Sequence, residues 1–160
     1  MSQTLTVTHS ENIRLNGTQQ GSTSTFKIGN IRDIYKRIIT LPENQDTTIL
    51  SFEESVMSGG VAASTATTAL DKDNVKYVRI TNLDTINYMW IGVVGTADNF
   101  TWKISPGESF VMGETAATLT AQDLVQVPVF GGANGLEDLE HIIADPGTNS
   151  TRVEIFVAGI

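Results

Sequence analysis

Two histidines, eighteen carboxylates and no cysteine are the stock from which this chain of 160 residues could build a catalytic or metal site. His9 and His141 stand in unrelated contexts, and without thiolates a metal centre needs both of them to converge with carboxylates in space. Each reads more simply as a surface or capping residue. The acidic pairs Glu53 with Glu54 and Glu137 with Glu140 have the chemistry for general acid and base work, but nothing aims them at a common cleft. Exposed carboxylates are the ordinary case. Gly107-Glu108-Ser109 lacks the second glycine of a nucleophile elbow and sits in a turn between strands, and neither phosphate-cradling glycine motif is present. Asp71-Lys72-Asp73-Asn74 opens like a calcium loop, yet Lys76 stands where the loop needs glycine and Asn82 where it needs glutamate. The Asn-x-Ser/Thr triplets at Asn16, Asn99 and Asn149 are common by chance in so threonine-rich a chain. No catalytic, cofactor-binding or metal-binding residue is assigned, and an enzyme is not expected.

The aromatic residues offer a different chemistry. Tyr88 and Trp90 share one face of a strand, and Trp102 on the next strand is placed to stack beside them. Such a group is either a buried piece of core or a platform for carbohydrate rings, and on a sandwich the core reading is the expectation.

The elements that must position these residues are strands. Thr, Val and Ile make up 49 of the 160 residues, and β-branched side chains pack well on a pleated sheet. Residues 75–81 alternate Lys76, Val78 and Ile80 against Val75, Tyr77, Arg79 and Thr81, the period of a half-buried strand. The run Asn82 to Asn87 is turn chemistry leading to a strand over 88–94, with a hairpin as the default connection. Another strand follows over 100–104, and Ser105-Pro106-Gly107-Glu108 fits a type II turn. Strands are also predicted over 47–52, over 123–130 at a sheet edge because of Pro128, and over 152–158 with Val153, Ile155 and Val157 inward. Within 26–42, Ile31, Ile34, Tyr35 and Ile38 recur at helical spacing with Asn30 as N-cap, implying a short helical turn that runs into a strand. Leu136, Leu139, Ile142 and Ile143 fit an amphipathic helix, with a strand through 141–144 as the rival reading. Residues 55–68 read as a long loop. The fold expected is all-β, an antiparallel two-sheet β-sandwich of jelly-roll type with at most one or two short helices.

Length fits one such domain over 26–160, preceded by a polar segment, 1–25, that reads as an arm or edge strands. That segment has four aliphatic side chains beyond the initiator, Leu5, Val7, Ile13 and Leu15. Residues 1–42 carry a balance of +3, from Arg14, Lys27, Arg32, Lys36 and Arg37 against Glu11 and Asp33, so the remainder of the net −8 chain carries −11. An acidic body argues against nucleic acid as partner, and no run of about 20 apolar residues suits a membrane. The N-terminus lacks the basic start and apolar run of a signal peptide.

The run Val75-Lys-Tyr-Val-Arg-Ile-Thr-Asn-Leu-Asp84, then Asn87-Tyr88, then Pro106-Gly-Glu-Ser-Phe110, together with Tyr35-Lys-Arg-Ile-Ile-Thr-Leu-Pro42, resembles small virion structural proteins of tailed bacteriophages, marine cyanophages in particular. The resemblance covers about residues 26–160 and implies a non-enzymatic virion component assembled in the host cytoplasm. A capsid decoration or cement protein, homo-oligomeric and bound to the major capsid protein or other virion proteins, is the first expectation. A tail, neck or baseplate component, or a carbohydrate-binding module for host attachment, are the alternatives.

Overall fold

A computed structural model describes residues 3–53, 69–71, 74–95, 99–113 and 139–160, and every regular element among them is a strand. In chain order these are β1 (Gln3–Ser10), β2 (Arg14–Leu15), β3 (Thr18–Gln19), β4 (Thr23–Ile31), β5 (Asp33–Leu41), β6 (Thr47–Glu53), β7 (Ala69–Asp71), β8 (Val75–Asn82), β9 (Met89–Gly95), β10 (Asn99–Ile104), β11 (Ser109–Gly113), β12 (Leu139–Asp145) and β13 (Thr151–Gly159). Sheet I has the antiparallel order β11-β8-β13-β5. Sheet II has the antiparallel order β10-β9-β12-β6, with β7 added in parallel on β6. The strands pair from the outside of the chain inward: β5 with β13, β6 with β12, β8 with β11 and β9 with β10.

Alternation along each strand builds the core between the sheets. On β13, Val153, Ile155 and Val157 point inward beside Val78 and Ile80 of β8, and they meet Ile91, Val93 and Ile142 of sheet II. Full burial of each such side chain is worth about 1.5 to 3 kcal/mol.

The outward face of sheet I is covered as well. Strands β1 and β4 form a separate two-stranded ribbon, whose Leu5, Val7, Phe26, Ile28 and Ile31 pack on Tyr77, Val111, Phe156 and Ala158. The alternation of β8 implies one wet face, yet Val75, Tyr77, Val78 and Ile80 are all buried, because the ribbon is a third layer. Burial pushes the Tyr77 hydroxyl above its ordinary value, against the opposing pull of the Arg79 charge. The boundary expected after residue 25 falls inside β4.

Three local expectations are corrected. The helical turn in 26–42 is absent: β4 and β5 are both strands, and Asn30 takes a left-handed φ of 61° at the end of β4 instead of capping a helix. The spacing of Ile31, Ile34, Tyr35 and Ile38 arises from a corner, with Ile31 under the ribbon and Ile34 and Ile38 exposed. Residues 139–145 form a strand rather than a helix, its buried Leu139, Ile142 and Ala144 spaced by a bulge that imitates helical periodicity. The run 82–87 makes a corner rather than a hairpin, since β8 lies in sheet I and β9 in sheet II. The strand expected over 123–130 and the loop over 55–68 lie outside the described residues.

That corner is organised by one buried amide. Asn82 Nδ2 donates to the carbonyl oxygens of Asn87 at 2.8 Å and Ile104 at 3.2 Å, while its Oδ1 accepts from the Asp84 N–H at 2.9 Å. Its backbone N–H donates to Glu108 O and its carbonyl accepts from Gly107 N–H, both at 3.0 Å. Asn82 therefore ties the β8–β9 crossing to the β10–β11 crossing. Gly107, with φ 75°, and the 3.0 Å bond from Glu108 N–H to Ser105 O complete the predicted type II turn. Asp84 closes the first crossing by accepting from the N–H groups of Asn87 and Ile86, which hold its carboxyl below the ordinary aspartate value.

Replacing Asn82 by Ala strands these buried partners and is expected to destabilise the fold by roughly 3 kcal/mol, measured by urea unfolding. The depressed Asp84 carboxyl contributes stability above the unfolded value, near pH 4, that disappears as pH falls through the lower folded value. The thermal midpoint of the native protein should therefore fall more steeply below about pH 4 than that of Asp84→Asn, and parallel curves would contradict this.

Candidate functional site

Register places three rows of side chains on the solvent face of sheet II: Lys103-Trp90-Asp145, Thr101-Gly92-Ile143 and Asn99-Val94-His141, each running across β10, β9 and β12. The outer rows are about 13 Å apart, four residues of extended chain. Between them Gly92 contributes no side chain, and a Cβ built there meets no atom of the described residues within 4 Å. The result is a depression of about 530 Å³, lined by Asp46, Trp90, Gly92, Asn99, Thr101 and Asp145 among others. Lys103 stands at one end, its Nζ 3.8 Å from the centre of the Tyr88 ring and 5.9 Å from that of Trp90, a cation against two aromatic faces.

The expectation that the aromatic group is core is overturned. Tyr88, Trp90 and Trp102 are 48%, 40% and 55% exposed. Trp102 does not stack beside the other two, because the β10 residue opposite Trp90 is Lys103. Trp102 lies on the other face of β10, an edge strand, where its ring and that of Phe100 stand 6.2 and 6.3 Å from Phe110 of β11. These three rings close the open side of the sandwich.

A second exposed feature is the far end of the ribbon. Every residue from 8 to 25 is exposed except the half-buried Gly21. Its tip is the small hairpin β2-β3, turned by Asn16 and Gly17 with φ of 49° and 82°. Positive φ at both central residues is the type I′ geometry that follows strand twist. Ile13 and Leu15 at the tip are 55% and 59% exposed. Of the basic residues of 1–42, Lys36 pairs with Glu154 at 3.2 Å, Arg37 donates to Tyr35 Oη at 3.3 Å and Arg14 donates to Gly17 O at 3.2 Å. Burial pushes the Glu154 carboxyl up, but Lys36 and Arg79, both bonded to it, together hold it below its ordinary value.

His9 is on the ribbon, stacked 6.2 Å from Phe26, and His141 is on the outward face of sheet II, so the sandwich separates them. Glu140 is exposed, whereas Glu54, Glu137, Lys72 and Asp73 lie outside the described residues. Sequence reasoning missed Gly92 and the Asn16-Gly17 turn. An isolated glycine inside a strand and an Asn-Gly pair between alternating runs were the available signals. In comparisons with known proteins, no family model, no curated protein and no solved structure matches this chain.

With its ring half in water, Trp102 replaced by Ala is expected to lower stability by about 1 to 2 kcal/mol, against about 2 to 5 kcal/mol for Ile155→Ala in the core. Urea denaturation of the two variants measures the difference.

Proposed function

We propose that this protein is a non-enzymatic structural component of a bacteriophage virion, first of all a capsid decoration protein present in many copies. Tail, neck or baseplate placement is the nearest alternative within the same class. The observation that supports this reading is the ribbon: its root is packed on the sandwich, while its far end is an exposed hairpin that carries apolar Ile13 and Leu15. Among the described residues neither β1 nor β4 pairs with a strand other than its partner, so both edges remain available for a neighbouring sheet. Strand β5, an outer strand of sheet I with Ile34 64% and Ile38 52% exposed, is a second surface for a neighbouring copy or the capsid lattice. The nested strand pairing supports a jelly-roll body, a shape that tiles shells through its edges and loops.

Excising the tip tests the reading. Ser10 and Thr23 are directly opposite each other, so residues 11–22 can be replaced by Asn-Gly as a two-residue turn. The shortened protein should unfold within about 0.5 kcal/mol of the parent, because every residue lost is exposed except the half-buried Gly21. Its incorporation into virions, read by quantitative mass spectrometry, should collapse; wild-type incorporation would overturn the docking role. The same measurement on unmodified virions separates decoration, with copy numbers approaching that of the major capsid protein, from tail placement in small rings.

A further inference from the structure

We propose that the solvent face of β10-β9-β12 is a carbohydrate-binding groove for a neutral polysaccharide, with the Trp90 indole as the stacking surface and Asp46, Asp145, Asn99 and Thr101 as partners for sugar hydroxyls. The groove lies on sheet II, across the sandwich from the ribbon, and does not depend on the assembly role.

Gly92 carries the inference furthest. Glycine in a strand interior weakens the strand, and it is retained where a turn, a close backbone approach or a ligand requires it. At Gly92 the backbone φ is not left-handed and a Cβ meets none of the described residues within 4 Å, so neither conformation nor packing among them demands glycine. What the missing side chain supplies is the floor of the depression. A volume of about 530 Å³ lies in the range of small-ligand sites.

The lining selects the ligand. A pyranose ring presents an apolar C–H face to an aromatic ring and hydroxyls at its rim. Trp90 provides the exposed ring, with Lys103 close to it and to Tyr88. The Asp46 carboxylate and the Oδ2 of Asp145, whose Oδ1 already accepts from the Gly147 N–H at 2.7 Å, can accept hydrogen bonds from hydroxyls, and the Asn99 amide and Thr101 hydroxyl both donate and accept. The two carboxylates outweigh the Lys103 cation at one end of the groove, and on a chain of net charge −8 they disfavour phosphate, sulfate and uronate groups, which leaves a neutral glycan.

The experiment uses the full chain in solution with soluble neutral oligosaccharides, hexamers of glucose, mannose, galactose and rhamnose, with hyaluronate oligomers as the anionic arm. Saturation-transfer NMR and tryptophan fluorescence report binding. At least one neutral hexamer should bind, and both Trp90→Ala and Gly92→Val should weaken it by about tenfold or more, as loss of one stacked ring implies. Trp102→Ala, outside the groove, should bind as wild type, and Gly92→Val should unfold no earlier than wild type. Binding of none of the neutral hexamers, binding of hyaluronate alone, or binding that survives Gly92→Val would each overturn the proposal. Unfolding of Gly92→Val would also overturn it, by giving the glycine a packing role.

Discussion

Two of the crossings between the sheets, β8 to β9 and β10 to β11, are held together by the buried Asn82. A buried amide is tolerable only when its donors and acceptors are matched, because each unmatched one forfeits water without replacement. Here Nδ2, Oδ1 and the backbone N–H and carbonyl all have partners. The consequence reaches beyond the corner. The crossings decide which sheet each strand of the block 75–113 joins, and so decide that Trp90 and Lys103 face water while Met89 and Ile104 face the core.

The ribbon joins a packed root to an exposed tip along one hairpin. At its root, apolar side chains of β1 and β4 complete a second core over sheet I. Isolated two-stranded ribbons are marginal in water, so this contact is what holds the root. Beside it, Glu154 is bonded to both Lys36 and Arg79, and the Arg79 guanidinium lies 5.5 Å from the centre of the Phe156 ring. Beyond residue 7 on one strand and before residue 26 on the other, nothing comparable among the described residues covers the ribbon. The tip is shaped by its turn and by hydrogen bonds within the hairpin, and is left for a partner in the proposed assembly.

The period of two in β8 and β13 and the Pro106-Gly107 turn made the sandwich legible, since each rests on local sterics. The same locality explains the misses. Helical spacing in Ile31, Ile34, Tyr35 and Ile38 came from a corner where Asn30 turns left-handed, and in 139–143 from a bulge, both features that shift a strand's phase without making a helix. The turn residues of 82–87 were recognisable, but whether such a turn joins neighbours or crosses between sheets is decided by hydrogen bonds to residues far along the chain. The exposure of Trp90 was hidden because it depends on which face of sheet II stays uncovered, and that of Trp102 because it depends on β10 being an edge strand. The role of the ribbon root was hidden because Leu5 and Val7 look too few to pack until Phe26, Ile28 and Ile31 join them.

Hydrogen exchange, followed residue by residue on the free protein and on the protein in purified virions, tests most directly the division between a body locked at Asn82 and a ribbon tip reserved for partners. In the free protein the amides of Asn82, Asp84 and Gly107 should exchange only with global unfolding, while those of residues 11–22 exchange within the shortest labelling times; in virions the tip alone should become protected. Early exchange at Asn82, or a tip equally protected in both states, would contradict this division.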